Sequence, residues 1–202
     1  MGEKDESITE ADEPTLRSKA PEPEPVVRPF IAARHFTRGR RVPVRLIVIH
    51  TAECHEVRGA ARNIATWFGG PQAPQASAHY CVDDREVVGC VLEGDEAWHA
   101  GPVNPFSIGI ELAGAAVQGP QEWGDEYSTR VLANAAALVA EICARHNVPI
   151  RKLGPDQVKT EAGLCGHVDV TKGTKSGTHW DPGPNYPWQL FLDMVRAASE
   201  AP

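Results

Sequence analysis

The fold is decided by residues 44–50, which read VRLIVIH. This stretch is short, apolar and rich in β-branched side chains, and Pro43 precedes it, so it predicts a buried strand that ends at His50. After it, residues 57–68 place apolar side chains at helical spacing, and the Gly-Gly-Pro run at 69–71 stops that pattern. A buried strand followed directly by a helix is typical of α/β proteins.

The rest of the chain continues this alternation. The predicted strands are 79–83, 86–92, 107–112 and 163–167, and the predicted helices are 126–146 and one that Pro187 opens. Residues 171–185 are rich in glycine and proline and predict a loop. We therefore expect one α/β domain with a mixed central β-sheet flanked by about three helices.

The N-terminal segment differs in composition from everything after it. Residues 1–29 are acidic and rich in proline, with the run Pro-Glu-Pro-Glu-Pro at 21–25. Such a segment favours an extended, solvated chain and cannot build a core. We expect a disordered tail over residues 1–29 and a folded domain, which carries any activity, over residues 30–202.

Composition argues against several classes of protein. The chain has 202 residues and a formal net charge of −7, which disfavours nucleic acid as a partner because phosphate binding needs concentrated Lys and Arg. No run approaches the roughly 18 apolar residues of a membrane helix. The acidic, polar start also lacks the apolar core of a secretory signal. We expect cytoplasmic synthesis, no membrane insertion and a monomer.

Cysteine usage agrees with a reducing compartment. The chain has 5 cysteines, an odd number, and no CxxC spacing, which disfavours a cysteine-based zinc finger and indicates reduced thiols. Cys81 and Cys90 flank the predicted hairpin, so a disulfide between them is the alternative for that pair.

Three polar residues stand where chemistry is expected. His50 lies at the junction of a buried strand with a loop, His167 follows a short apolar segment, and Asp181 opens an Asp-Pro-Gly-Pro run. Two imidazoles and one carboxylate form a common catalytic zinc set. Each residue alone is a weak signal, because a lone histidine is commonly a packing or surface group and Asp-Pro-Gly is commonly a turn. Their spacing in the sequence does not unite them.

Five segments carry a resemblance to a known family: LIVIHT at 46–51, ASAHY at 76–80, AWHAG at 97–101, SIGIEL at 107–112, and Gly166-His167 through the Asp-Pro-Gly-Pro at 181–184. Taken together and in this order, they resemble the zinc-dependent N-acetylmuramoyl-L-alanine amidases of the AmpD, phage-lysozyme and peptidoglycan-recognition superfamily. The resemblance spans about residues 28–198. Residues 28–30 and 77–80 are also similar to those of actinobacterial phage and prophage endolysins.

The resemblance implies a Zn(II) site with an acid/base group beside it. It implies His50, His167 and Asp181 as metal ligands and Glu111 as the catalytic carboxylate. Because Glu111 stands between apolar residues of its strand, alternation turns it to the opposite face, where a cleft can lie. The alternative for Glu111 is an ion-paired carboxylate of the core.

Residue 179 departs from the family pattern. Relatives often carry a lysine two residues before the ligand aspartate, where it is thought to stabilise the oxyanion, and this chain has His179. We predict that His179 takes over this catalytic role as an imidazolium or a neutral N–H donor, with activity that depends on pH near neutrality. The alternatives are a surplus metal ligand and a loop histidine. Cys54 is an alternative ligand that fits the family pattern less well than Asp181.

We predict substrate contacts for four residues: Thr51, His79, Trp98 and His99. Trp98 and His99 precede a glycine in a predicted loop, where the resemblance suggests contact with glycan or stem peptide. The alternative for Trp98 is plain packing, and for His79 it is a structural role.

The resemblance implies hydrolysis of the amide between the N-acetylmuramic acid lactyl group and L-alanine in peptidoglycan. We expect a bacteriolytic endolysin that reaches the cell wall through a holin-type pore. The alternatives are a cytosolic amidase that recycles anhydro-muropeptides, a zinc hydrolase of a glycan-free amide, and a module that binds peptidoglycan without cutting it. Retention of Asp181 favours an enzyme, because such binding modules commonly lack the third ligand.

Overall fold

The computed structural model describes residues 28–201, and a five-stranded mixed sheet organises them. Its strands are β2 (Leu46–Thr51), β3 (Tyr80–Val82), β4 (Val87–Gly89), β6 (Ser107–Leu112) and β7 (Gly163–Gly166). The order is β4-β3-β6-β2-β7; β4 is antiparallel to β3, and all other neighbours are parallel. Two short strands, β1 (Phe36–Thr37) and β5 (Glu96–Ala97), pair separately. The predicted α/β fold with a mixed sheet is confirmed.

Within residues 28–201, five α-helices accompany the sheet: α1 (Ala60–Gly69), α2 (Pro120–Trp123), α3 (Glu126–His146), α4 (His167–Thr174) and α5 (Trp188–Glu200). A 3₁₀ helix, Gly101–Phe106, leads into β6. The short helices α2 and α4 are additional to the three that the sequence predicts. Part of the predicted loop at 171–185 is therefore helical, because α4 continues directly from β7 and buries Val170.

The two faces of the sheet have different functions. Ile47 and Ile49 of β2, and Ile108 and Ile110 of β6, pack into the main core with residues of α3 and α5. Side chains alternate across a strand, so the intervening residues of β2 and β6, including His50 and Glu111, face the other way. The α3/α5 face therefore holds the fold together, and the opposite face carries the polar groups.

The predicted tail meets the fold at its last two residues. Arg28 forms an ion pair with Glu141, and the carbonyl of Pro29 accepts a hydrogen bond from the Gly89 N–H at 2.9 Å. Residues 28 and 29 thus pack on the domain. Residues 1–27 lie outside the described part, so the prediction of a disordered tail stays a prediction.

The structure also describes the state of the cysteines and the character of the helices. In residues 28–201 all five cysteines are free thiols, although the Sγ atoms of Cys81 and Cys90 lie 3.5 Å apart. Within the same range, no helix combines the length and the apolar composition needed to cross a bilayer.

Candidate functional site

Three strand ends meet at one edge of the sheet. His50 of β2 lies directly opposite Glu111 of β6, and Ile49 lies opposite Gly166 of β7, which His167 follows. In adjacent parallel strands these ends coincide, so the side chains of the three polar residues lie at the same level. Open α/β sheets bind ligands at this carboxyl edge.

His50, His167 and Asp181 form a buried cluster with the donor set of a metal site. One possible ligand atom from each residue lies within 4.8 Å of the others. The Nδ1 atom of His50 is 3.0 Å from Oδ2 of Asp181, and Nδ1 of His167 is 3.4 Å from Oδ1. Burial acts to raise the pKa of Asp181, but its close contacts with His167 and His50 outweigh burial and hold this pKa far below its usual value. Two imidazoles and an ionised carboxylate suit Zn(II).

The loop that carries Asp181 is held by close backbone packing. The Asp181 carbonyl accepts a hydrogen bond from the Val168 N–H at 2.9 Å. Gly183 has a φ of 91°, and a Cβ there would lie 1.9 Å from the carbonyl oxygen of Ala116. A Cβ on Gly166 would lie 2.6 Å from the Pro182 ring. These backbone segments can lie so close together only with glycine at positions 166 and 183, because no side chain fits between them.

A partly buried ion pair supports the turn that presents His167. Oδ2 of Asp169 accepts hydrogen bonds from the Gly166 N–H at 2.8 Å and from Nζ of Lys152 at 2.7 Å. Lys152 also lies over the ring of Trp188, 4.6 Å from its centroid. Our sequence analysis missed this support. Its only signal is an acidic residue at the third position of a helix, where it can cap the N-terminus.

Glu111 is a carboxyl group without a hydrogen-bond partner on one oxygen. Its Oε2 atom is buried and unpaired among the described residues. Burial raises the pKa of Glu111 to about 8, and the charges of Asp181 and Glu53 add to the shift. A carboxyl group of this kind can take up or release a proton near neutral pH.

A cavity of about 1000 Å³ opens over the site. The three candidate ligands and Glu111 line it, as do three residues that were predicted to contact substrate: Thr51, Trp98 and His99. Apolar side chains from α1 and the preceding loop form another part of its lining: Val57, Ala60, Ile64, Trp67 and Phe68. Mostly apolar walls with a few convergent polar groups are typical of a ligand site.

His179 lies beside the ligand cluster and faces solvent. Its ring stacks on His167 with centroids 4.0 Å apart, and its Nδ1 atom is 3.6 Å from Oδ1 of Asp181. The side chain is 61% exposed. Burial of the remainder and the charge of His167 lower the pKa of His179, which favours the neutral ring. Cys54 lines the cavity but stands outside the three-residue cluster.

The structure corrects the predicted substrate contact of His79. This residue is fully buried and is absent from the cavity lining. Its Nδ1 atom accepts a hydrogen bond from the Gly109 N–H at 3.0 Å, and its Nε2 atom lies 3.0 Å from the Arg40 guanidinium. Burial and the Arg40 charge lower the pKa of His79 to about 3. His79 therefore supports β6, the strand of Glu111.

Arg40, which our sequence analysis missed, contacts the backbone that leads into β6. Its guanidinium donates hydrogen bonds to backbone carbonyls of five residues: Glu93, Asp95, Asn104, Pro105 and Ser107. These bonds fix the 3₁₀ helix and the start of β6.

His99 lies in the cavity lining between β2 and β6. Its Nδ1 atom is 3.0 Å from Nε2 of His50, and its Nε2 atom is 3.0 Å from Oγ of Ser107. Burial lowers the pKa of His99 well below its usual value, and the nearby His50 and His79 lower it further. These effects favour the neutral ring, and both of its nitrogens have partners.

Comparisons with known proteins agree with this geometry. N-acetylmuramoyl-L-alanine amidase A of Achromobacter lyticus is 29% identical over 171 residues, which cover 77% of this chain and 85% of that protein. The crystal structure of the Staphylococcus aureus hydrolase AmiA with its ligand gives a TM-score of 0.66 at 18% identity, over 90% of this chain and 85% of that one. An AmpD crystal structure gives 0.59 at 22% identity, over 85% and 93%.

The two solved structures show a shared fold. A family model described as N-acetylmuramoyl-L-alanine amidase matches residues 40–184, which is well over half of the chain and includes every candidate ligand and Glu111. The chain therefore belongs to the N-acetylmuramoyl-L-alanine amidase family.

Proposed function

We propose that this chain is a Zn(II)-dependent amidase that cuts peptidoglycan between the N-acetylmuramic acid lactyl group and L-alanine. One observation carries the proposal. A buried His50, His167 and Asp181 cluster lies beside the unpaired carboxyl oxygen of Glu111, and all four residues line one cavity. Family membership indicates the reaction, and the cluster indicates how this chain performs it.

The metal would be held by His50, His167 and Asp181. A Zn(II) ion bound there supplies a Lewis acid that acidifies water and polarises a carbonyl group. Because the neighbouring histidines hold the pKa of Asp181 far below neutrality, this carboxylate is already ionised and needs no proton release to act as a ligand. Lys152 and Asp169 keep the His167 turn in place.

Glu111 would move the protons. Its unpaired Oε2 atom can accept the proton of the attacking water and later deliver it to the departing amine of L-alanine. His179 would donate an N–H to the substrate oxygen as negative charge develops there, a contribution of about 3 kcal/mol for a well-placed donor. Its ring is mostly exposed and lines the cavity beside Asp181, so a bound substrate can reach it.

The remaining cavity lining would bind the substrate. Trp98 is anchored by a hydrogen bond from its Nε1–H to Oγ1 of Thr37 at 2.9 Å, which leaves a ring face for sugar or peptide. Thr51 donates to the Glu53 carboxylate at 2.8 Å and lines the cavity next to the candidate ligands. The apolar side chains of α1 would contact methyl groups of the stem peptide or the lactyl group.

We further propose that the protein acts as a lysin on intact cell wall, as its similarity to phage and prophage endolysins suggests. A recycling amidase would instead prefer soluble anhydro-muropeptides. Initial rates on purified sacculi and on soluble anhydro-muropeptides distinguish the two: a clear preference for the soluble substrate contradicts the lysin role and leaves the chemistry intact.

The chemistry is tested by digesting purified peptidoglycan with metal-free and Zn(II)-reconstituted protein and identifying the products by mass spectrometry. We expect free stem peptides that begin at L-alanine, produced only after Zn(II) is restored. Glu111→Gln is the matched control, because it should bind Zn(II) at full stoichiometry and release no peptide. Muropeptides that stay bound and uncut by the loaded protein would identify a binding module and overturn the proposal.

A further inference from the structure

We propose that His99 is a positioning residue that fixes the tautomer of His50, so that the Nδ1 lone pair of His50 points at the metal. This inference rests on the proposed metal site. It gives His99, which our sequence analysis assigned to substrate contact, a role in supporting that site. The assignment to positioning follows from the order of donors and acceptors along one chain of hydrogen bonds.

The donor and acceptor roles along this series of hydrogen bonds are set at the Ser107 end. The Ser107 hydroxyl donates its proton to the carbonyl of Val103 at 2.8 Å, so its oxygen accepts from the partner on its other side. That partner is Nε2 of His99 at 3.0 Å, which must therefore carry the proton of the neutral ring. The unprotonated Nδ1 of His99 then accepts from Nε2 of His50 at 3.0 Å. His50 is left with its lone pair on Nδ1.

The lone pair of His50 faces a second lone pair. Nδ1 of His50 lies 3.0 Å from Oδ2 of Asp181, and in the tautomer assigned above no proton lies between these atoms. Two facing lone pairs repel each other unless a cation lies between them. The hydrogen-bond chain therefore prepares the His50 and Asp181 pair for a metal ion, since metal-bound histidines usually donate their other N–H to an oriented partner.

The surroundings hold His99 in this arrangement. Its backbone N–H donates to Oδ1 of Asn104 at 3.2 Å, and the next N–H donates to the same oxygen at 2.7 Å. The ring lies against β6 at Gly109, where a Cβ would come 2.4 Å from Cγ of His99. Ser107 is fully buried, so no water competes for its hydroxyl. A neutral ring so held orients His50 without adding charge to the site.

The same geometry argues against His99 as a substrate contact. Both of its nitrogens are used within the protein, by Ser107 and His50, so neither remains to bind a sugar or a peptide.

Two substitutions separate the two ends of the His99 ring. His99→Asn places an amide oxygen where Nδ1 stands and keeps the acceptor for His50, whereas His99→Gln places its amide near the Nε2 position and loses that acceptor. His99→Leu removes both ends. Ser107→Ala removes only the acceptor that sets the direction of the chain, and it leaves the ring in place.

The measurement is Co(II) titration of metal-free protein, followed by the visible absorption spectrum of the bound ion and by circular dichroism for folding. We expect His99→Gln and His99→Leu to weaken Co(II) binding about 10- to 100-fold and to change the spectrum. Ser107→Ala should change both readouts in the same direction but less, and His99→Asn should stay close to wild type.

Several results would overturn the inference. Unchanged Co(II) affinity and spectrum in His99→Gln and Ser107→Ala would show that His50 needs no orienting partner, while the metal site itself would stand. Equal losses in His99→Asn and His99→Leu would indicate packing instead of the hydrogen bond. Wild-type protein that binds neither Co(II) nor Zn(II) would refute the metal site of the proposed function, and this inference with it.

Discussion

Replacing Glu111 with glutamine should make the metal-free protein more stable at high pH. Burial raises the pKa of Glu111 from 4.5 to about 8 in the folded protein. The folded state therefore keeps this proton over a pH range in which the unfolded chain releases it. Below about pH 4.5 both states are protonated and the group costs nothing. As the pH rises toward 8, wild type loses stability, and the glutamine variant, which never ionises, does not.

The size of the effect follows from the shift in ionisation. Each tenfold change in an ionisation constant is worth about 1.4 kcal/mol, so complete burial of the charge gives a ceiling of about 5 kcal/mol for Glu111. The residue is partly exposed to the cavity, and water there screens the carboxylate. We therefore expect Glu111→Gln to exceed wild type by about 2 kcal/mol at pH 8 and to match it at pH 4.5.

Urea denaturation in EDTA at pH 5, 6, 7 and 8 measures this difference. Other titrating groups, including the ligand histidines, cancel when the variant is compared with wild type at each pH. Glu200→Gln, on the exposed end of α5, is the control and should show no pH-dependent difference. If the curves for Glu111→Gln and wild type run parallel from pH 5 to 8, the carboxyl group is not held in its neutral form and the reasoning fails.

Three further substitutions test the site and its support. His179→Ala should lower kcat about 100-fold while Zn(II) stoichiometry stays at wild type, as measured by steady-state kinetics and metal analysis; an unchanged kcat would make it a loop histidine. Gly183→Ala forces a Cβ against the Ala116 carbonyl, so it should lower the free energy of unfolding by more than about 2 kcal/mol and weaken metal binding, as measured by chemical denaturation and metal titration. A variant as stable as wild type would show that the loop can shift to make room for the methyl group. Asp169→Asn leaves Lys152 without its charge partner and should lower the free energy of unfolding by about 2 kcal/mol, and an unchanged urea midpoint would contradict that.

Local patterns predicted the elements whose signals lie within their own segment. Strand β6 has the predicted bounds, Ser107–Leu112. Its apolar residues alternate with small or polar ones, and this pattern is typical of a strand. Helix α3 also has its predicted bounds. Asp125 caps its N-terminus with a hydrogen bond from the Ser128 N–H at 2.8 Å, and Asn147 ends it in a left-handed conformation. The resemblance named three candidate ligands that the structure then brings together, although their sequence separation alone could not unite them.

The features missed by the sequence analysis depend on partners far along the chain. Helix α4 has glycine and threonine in a weak helical pattern, and it forms because it continues from a paired strand and its Asp169 meets Lys152. Whether His79 would face the cavity or the interior depended on Arg40, 39 residues away. Neither contact leaves a periodic signal in the sequence.

The pairing of the parallel strands makes the metal site a property of the completed sheet. Two of its three donor side chains come from the last quarter of the chain, and they reach His50 only when β7 pairs with β2. Such long-range pairing closes large loops and is slow. A chain that ends before residue 167 offers His50 alone, and an unfolded chain holds the three donors apart, so both bind metal poorly. An ion bound after closure stabilises only the completed sheet, by a free energy that grows with the logarithm of its free concentration once that exceeds the dissociation constant.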